Sequence, residues 1–561
     1  MFEKDKLDEI RVAQQEWESR HLYEFAQESK KEFITEDGIP IRRIYTPLDL
    51  EEKGFDFLND VGFPGELPYT RGITSTMYRT KPWKFVQYSG RATPEESNEL
   101  WKRQLAEGAN AVVIANDLPT QLGYDPDHPM VQGEVGRTGA PISSLRDWEV
   151  CFDGIDIENV GVRTVCNAPV IFMVASHIAL AEQRGVNISK LQGCAQNDIL
   201  KEYIARGNYI FPPEPSVRLA VDVIAYLASH CSMYQCDLSS VHVMERGANK
   251  VQQIAWGISD AITYLESAAK REVGVDKLAP AMNFISGMYH NEIFAEVAKF
   301  RANRKLWARI LKERFHAKDP RSWLYRTWIV MGGVRQLKQQ PLNNIARSEI
   351  CSLIAGLSGG QDCEVKSYNE AIGIPTPDAL TGCLRYQQIA AYEAGITDTI
   401  DPFAGSYYVE WLTKEFEERA IKEIERIDQL GGMIKAIEKG YPQSEMTKNA
   451  YQYQKKIESG EVVQVGLNKY YSEPTAEEKA VRPYRAKPEL EDKTVAKIRE
   501  LRRNRDNAKV KQRLDNLLEM ARTDENLVPP VIEAVKVYAT VGEICDVFRE
   551  VYGVYTPLAI W

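Results

Sequence analysis

The sequence predicts an α/β chain built on a (β/α)8 TIM barrel, with an N-terminal arm and a helical C-terminal extension. Three observations lead there. Eight short apolar runs lie between residues 85 and 365. Longer helical stretches separate them, so strand and helix alternate as in parallel α/β proteins rather than clustering as in sandwiches. Beyond about residue 400 only charged helical patterns remain. An open doubly wound sheet is the competing layout, and eight units over about 300 residues favour closure. The corresponding division is 1–65 for the arm, 66–400 for the substrate-binding barrel, and 401–561 for the helical region, linker and subunit contacts.

In chain order, residues 1 to about 31 read as an amphipathic helix carrying Leu7, Ile10, Val12 and Trp17. An arm follows, with turn signals at Asp37-Gly38 and Pro64-Gly65. The apolar runs are FVQYS (85–89), AVVIAND (111–117), VGVRTVCN (160–167), LQGCAQ (191–196), SSVHVME (239–245), PAMNFI (280–285), RTWIVMG (326–332) and CEV (363–365). Helices are expected over 94–107, 170–184, 217–231, 250–270, 288–314 and 342–356. Further helices follow over 413–439, 445–459, 490–521 and 529–551, with a Pro-rich and Glu/Lys-rich connection at 473–489. The tail from Val551 to Trp561, with Tyr552 and Tyr555, reads as a packed terminus.

A composition of 44% hydrophobic and 27% charged residues is that of an ordinary globular protein. The net charge of -10 argues against nucleic acid or an anionic membrane as the main partner. Nine scattered cysteines, odd in number and without a CxxC pair, indicate neither a disulfide framework nor a zinc ribbon and suit a reducing cytoplasm. The N-terminal MFEKDKLDEIRVAQQEWESR lacks an apolar core, and no run of about 18 apolar residues follows, so neither secretion nor membrane spanning is expected.

Because strand side chains alternate, one parity can be followed along each run. It gives Lys84, Val86 and Tyr88; Val113, Ala115 and Asp117; Arg163, Val165 and Asn167; Cys194 and Gln196; Ser240 and His242; Ala281 and Asn283; Arg326, Trp328 and Val330. This face is too polar for a lumen of Val, Ile and Leu alone, and active sites in the fold lie at the C-terminal strand ends. The stretch LQGCAQNDILKEYIARGNYIFPP, 191–213, then stands out. Its strand ends in Gln196 and its helical turn presents Arg206, which places a neutral hydrogen-bonder and a fixed cation beside one cavity. Such a site suits a polar, anionic organic substrate.

Several motifs, in order, resemble one family. TRGITSTMY, KPWKFVQYSG, DLPTQLGYDPDHP, AQNDILKEY, YIFPPEPSVR, DPFAGSYYVE and GGMIKAIEKG, between about residues 35 and 470, are similar to the large subunit of the adenosylcobalamin-dependent acyl-CoA mutases, the methylmalonyl-CoA mutase family. The resemblance implies an isomerase that rearranges a carbon skeleton by radical chemistry. It implies adenosylcobalamin as cofactor and, since no DxHxxG lower-ligand motif occurs here, a separate small cobalamin-binding subunit. It further implies a dimer of large subunits within a hetero-oligomer. By the same resemblance Tyr88 flanks the substrate, Gln196 and His242 hydrogen-bond its thioester carbonyl, and Arg206 clamps a free carboxylate, as a planar guanidinium does well. Thr76, Met77, Lys81, Lys84, Arg163, Asn283 and Asp117 complete the expected substrate side; Glu245, Gly333, Glu370 and Ala371 face the corrin.

The chain departs from the family pattern where the coenzyme A arm is held. Thr74 replaces a tyrosine, Lys81 and Val86 replace arginines, Lys84 a threonine, and Ala281 and Asn283 an arginine–serine pair. Arg163 stands at a small lumen position, Val241 at a tyrosine, Trp328 and Val330 at a histidine and a glutamine, and Gln121 at a histidine. Retention of Tyr88 and Arg206 favours a carboxylate-bearing acyl-CoA of the methylmalonyl type. The departures leave open a mutase for a bulkier or non-CoA acid, with Lys81, Lys84 and Arg163 as new anchors, and a non-catalytic barrel acting as an assembly partner. No metal site is expected, since His242 and Asp117 are too few ligands.

Overall fold

In a computed structural model of the chain, residues 3–557 are described; Trp561 and the first two residues of the N-terminal helical stretch lie outside them. Nine short parallel strands form one sheet: β1 (Lys84–Phe85), β2 (Tyr88–Ser89), β3 (Ala111–Ala115), β4 (Gly161–Val165), β5 (Gly193–Gln196), β6 (Tyr234–Ser239), β7 (Met282–Met288), β8 (Thr327–Met331) and β9 (Asp362–Glu364). β1 pairs with β9 and β2 with β3, yet only Val86 and Gln87 separate β1 from β2. One segment therefore occupies both edges, and the sheet closes as a barrel with eight strand positions.

The pairing register fixes what faces the lumen. Tyr88 pairs with Val113, Val113 with Arg163, and Arg163 with Cys194, while Gln196 pairs with Asp237 and Asp237 with Asn283. Hydrogen-bonded neighbours point to the same side, so the parity read from the sequence is the inner one at these positions. Val86, Val113, Val165, Ile285, Trp328 and Val330 form a lumen cluster, while Phe85, Ile329, Met331 and Cys363 of the opposite parity pack outward.

One expected strand is misplaced. The strand placed at 239–245 is Tyr234–Ser239, and Val241–Glu245 is a short helix beyond it. The true strand carries Gln235 and Asp237 on its inner face, so its apolar signal is weak. The alternation of VHVM mimics a strand while Val241, Val243 and Met244 are buried by the helix. His242 therefore stands on the first turn after β6, above the lumen rather than within it.

The barrel helices begin where the sequence supplies caps. Thr93 accepts from Glu96 N ahead of Pro94–Ala106, and Asn249 with Gln252 forms a capping box at Lys250–Ala269. Val170–Gln183 is buried at every residue from Val170 to Ala181, because the barrel lies on one side and Val528–Lys536 on the other. The expected helix 490–521 breaks at Arg505, where Asp506 caps a second helix, Asn507–Ala521. The final helix, Val541–Tyr552, pins the loop after β3: Asp125 accepts from Gly542 N at 3.0 Å and from Thr540 Oγ1 at 2.5 Å. Tyr555 packs edge-on against Tyr203 and Tyr209, so the end of the described chain covers the 203–210 segment. Among the described residues no helix is long and apolar enough to cross a membrane.

Arg301, fully buried on Ile293–Glu313, binds Asp401 and lies 2.5 Å from Glu410 Oε1. It ties the barrel to the DPFAG turn and the long helix Tyr407–Leu430. Replacing one partner of a buried ion network strands the others. Arg301→Met is expected to cost about 3–5 kcal/mol, read as a lowered denaturation midpoint; a midpoint matching wild type would mean that the network contributes nothing.

Candidate active site

At the C-terminal end of β5 the chain turns abruptly. Asn197 Nδ2 donates to Ala220 O at 2.7 Å, and Asp198 Oδ2 accepts Ser239 N at 2.9 Å, which locks the end of β5 to the end of β6. A π-helical turn, Glu202–Arg206, follows and closes at Gly207, whose positive φ of 92° suits glycine. This geometry directs Lys201, Glu202 and Arg206 back over the lumen.

Lys201 has no solvent exposure, and its Nζ touches three groups: Glu202 Oε1 at 2.6 Å, Gln196 Oε1 at 3.2 Å and His242 Nδ1 at 3.3 Å. Asn167 Nδ2 also donates to Gln196 Oε1, at 3.0 Å, and to Glu202. With two donors on its oxygen, Gln196 turns its NH2 toward the chamber. Lys201 is donor-only, so His242 Nδ1 is an acceptor and Nε2 carries the hydrogen. Burial, followed by the charges of Lys201, Arg206 and Lys366, pushes the imidazole pKa well below its usual value. Gln196 and His242 are thus two neutral donors. Lys201 itself is lowered to about 8 by burial, against the pull of Glu202.

Arg206 keeps one Nη1 that is buried yet lacks a hydrogen-bond partner in the protein; Glu202 Oε1 lies 3.5 Å away. Burial raises the pKa of the Tyr88 hydroxyl, and the charges of Arg206 and Lys366 oppose the rise. Lys366 Nζ is 5.9 Å from the Tyr88 ring centroid and 2.6 Å from Glu364 Oε1. At the outer rim Glu245 Oε1 accepts Gly333 N at 2.7 Å, and a Cβ on Gly333 would lie 3.5 Å from Glu370 Cγ. Ala371 follows Glu370 and is half-buried. This end therefore gathers Tyr88, Gln196, Arg206 and His242, with Glu245, Gly333 and Glu370 around the mouth.

The chain belongs to the methylmalonyl-CoA mutase family. The profile described as Methylmalonyl-CoA mutase matches residues 34–554. The chain is 37% identical over 557 residues to the 2-hydroxyisobutanoyl-CoA mutase large subunit of Aquincola tertiaricarbonis, covering 98% of each protein. It is 39% identical to the methylmalonyl-CoA mutase of Rhizobium meliloti, over 93% of this chain and 73% of that protein. The mitochondrial methylmalonyl-CoA mutase of Homo sapiens is 35% identical, over 92% of this chain and 68% of that protein. Enzymes of this family are cobalamin-dependent isomerases. The mouth residues suit such a cofactor, because half-buried carboxylates at Glu245 and Glu370 offer acceptors to the amide-bearing rim of a corrin.

The remaining predicted site residues of this family member are elsewhere. Asp117 caps the helix Leu118–Gln121, its two oxygens accepting Thr120 N at 3.0 Å and Gly136 N at 2.7 Å, with burial raising its pKa to about 7. Thr76, Met77, Lys81 and Lys84 lie toward the N-terminal end; Lys84 precedes Tyr88 by four residues, roughly 13 Å of strand. Arg163 and Asn283 are engaged in the lumen with Asp362 and Asp237. Sequence reasoning missed Lys201, Glu202 and Lys366. Lys201 and Glu202 sit inside the AQNDILKEY motif, between Gln196 and Arg206, and only their position in the motif could have drawn attention to them; Lys366 lies one residue past a run of only three.

If Lys201 sets the His242 tautomer, NMR of histidine-labelled protein is expected to find His242 as the neutral Nε2–H form, without titration between about pH 6 and 8. Because its folded pKa is depressed, acid protonates the unfolded imidazole first, so this group's contribution to stability falls as pH drops through the unfolded value of about 6.5. Lys201→Met is expected to remove the tautomer bias. A wild-type His242 titrating near 6.5 would overturn the assignment.

Proposed function

We propose that this chain is the large, substrate-binding subunit of an adenosylcobalamin-dependent mutase that carries out a radical 1,2-rearrangement of a carboxylate-bearing acyl substrate. The observation that carries the reading is the convergence of two neutral donors, Gln196 and His242, with a guanidinium whose Nη1 is unpartnered. The donors suit a carbonyl oxygen that gains charge as its carbon becomes part of a radical, and preorganised donors in a water-poor site are effective there. Arg206 suits the carboxylate, held bidentately. Tyr88 is a rigid wall whose hydroxyl stays protonated, so it presents a polar handle without adding charge.

When bound, adenosylcobalamin supplies the cobalt–carbon homolysis that generates the hydrogen-abstracting radical. The residues of this chain bind and orient the substrate and exclude water from it. Glu245, Gly333, Glu370 and Ala371 would hold the cofactor at the mouth. A separate small cobalamin-binding subunit is part of the proposal; it is supported by the match along 98% of a protein named a large subunit. A dimer of large subunits in a cytoplasmic hetero-oligomer belongs to the same reading.

The test is an isomerisation assay of the chain with a cobalamin-binding small subunit and adenosylcobalamin. Methylmalonyl-CoA, ethylmalonyl-CoA, isobutyryl-CoA and the corresponding free acids are offered, with products read by mass spectrometry. Conversion of a carboxylate-bearing substrate is expected; if cofactor is bound but nothing converts, the non-catalytic alternative stands. His242→Ala is expected to lower turnover by roughly 10²–10³ with cofactor still bound. Arg206→Gln is expected to raise KM for the dicarboxylic substrate while sparing a monocarboxylic one, and equal effects on both would exclude the clamp.

A further inference from the structure

The turn that carries Arg206 is tied to the C-terminal extension by hydrogen bonds that cross two loops. Arg549, on the final helix Val541–Tyr552, donates from Nη2 to Leu122 O at 2.8 Å and to Gly123 O at 2.9 Å. Its guanidinium lies 4.2 Å from the Tyr124 ring centroid. Gly123 packs against the same helix closely enough that a Cβ there would stand 2.5 Å from Cys545 Sγ. These contacts, with those of Asp125, fix the loop after β3. Within that loop Gln121 is buried, and its amide is used at both atoms: Nε2 donates to Asn116 O at 2.7 Å, and Oε1 accepts Asn208 Nδ2 at 2.9 Å. Only this orientation of the two amides pairs every donor with an acceptor. Asn208 in turn donates its backbone N–H to Glu202 Oε2 at 3.0 Å.

Glu202 is where these bonds meet the site. Its Oε1 faces Lys201 Nζ at 2.6 Å, Asn167 Nδ2 and, at 3.5 Å, Arg206 Nη1. The last separation is too long for a hydrogen bond, so the carboxylate aims the guanidinium by charge and leaves its donors free. A carboxylate that aims a cation must itself be fixed, and Asn208 fixes its second oxygen. Beyond Asn208, Ile210 O accepts Tyr555 N at 2.9 Å, and the stacked rings of Tyr203 and Tyr209 both meet the Tyr555 ring edge-on. The segment is therefore pinned at Asn208 by the loop after β3 and at Ile210 by the end of the described chain.

We propose that Gln121 and Asn208 are positioning residues that set the Arg206 guanidinium and, through it, the preference for an acyl group bearing a free carboxylate. The inference rests on the carboxylate-binding role given to Arg206 under the proposed function. It gives the C-terminal extension a part in substrate choice: the final helix holds the loop after β3, Gln121 of that loop holds Asn208, and Asn208 holds the carboxylate that faces the guanidinium. A clamp misplaced by about 1 Å loses much of its effect, so a change made outside the chamber is felt inside it.

The test is calorimetry of the full-length chain with methylmalonyl-CoA and isobutyryl-CoA, which differ by a carboxylate against a methyl group on one carbon. Wild type is expected to bind the first at least about 10-fold more tightly. Gln121→Leu and Asn208→Ala are each expected to shrink that ratio by about 5–10-fold, with isobutyryl-CoA binding held within about twofold of wild type. Gln121→His, whose ring offers one donor and one acceptor, is expected to keep the wild-type ratio. In an Arg206→Gln background, Gln121→Leu is expected to change the ratio no further, since no guanidinium remains to be positioned. Equal weakening of both esters by the two variants, or a further loss of ratio in the Arg206→Gln background, overturns the proposal. An unchanged ratio in Gln121→Leu and Asn208→Ala beside a collapsed one in Arg206→Gln overturns it and leaves the clamp standing; an unchanged ratio in Arg206→Gln itself removes the clamp and this inference with it.

Discussion

The constraint on which the site depends is the burial of Lys201. An ammonium with no access to water is tolerated only where acceptors surround it, and here two of the acceptors are groups that the proposed chemistry needs in a fixed state. Glu202 neutralises the charge, Gln196 is turned so that its NH2 faces the chamber, and His242 is left with its hydrogen on Nε2. Asp198 and Asn197, between β5 and the Glu202–Arg206 turn, anchor the chain there to β6 and to the helix Pro213–His230. One buried cation thus transmits the rigidity of the barrel to two neutral donors on neighbouring strand ends.

The lumen solves a different problem at each height. A barrel interior is a packed core, and polar side chains in it need partners. The upper level leaves Arg206 and the donors facing a chamber. The middle is an apolar belt, and the lower level pairs Arg163 with Asp362 and Asn283 with Asp237. Asp237 is raised to about 6 by burial, with Arg163 opposing the rise, so the pairings hold its charge where isolation would remove it. Arg163 is thus paired by Asp362 and stacked beside Trp328, so the buried cation on β4 is met by groups from the far wall of the lumen.

Much of the fold was legible because strand–helix alternation and side-chain parity are properties of the local chain. The inner face was right at Tyr88, Val113, Arg163, Gln196 and Trp328 for that reason. β6 was displaced because its inner residues, Gln235 and Asp237, are polar, and apolarity was the signal in use. The site was legible as a set of residue types, and Tyr88, Gln196, Arg206 and His242 do converge. Their electrical states were not, because Lys201 and Lys366 determine them through contacts that only the closed barrel creates. Asp117 illustrates the converse: a carboxylate at an inward strand end, which sequence assigns to the chamber, is consumed by two backbone N–H groups of its own loop.

The distribution of charge gives these features a common direction. Cations lie on the substrate side, at Arg206, Lys201 and Lys366, and carboxylates lie at the mouth, at Glu245 and Glu370, with Glu364 pairing Lys366 between them. Against the effect of burial, Glu364 and then Glu370 hold the Lys366 pKa up, so this cation persists beside Tyr88 at any working pH. Such a gradient favours anionic groups on the inner side, since few solvent molecules screen charges within the barrel. Under the proposed function, a substrate with its carboxylate on Arg206 and its carbonyl on the two neutral donors is held at both ends, while the stack of Arg163 on Trp328 obstructs the axis below it.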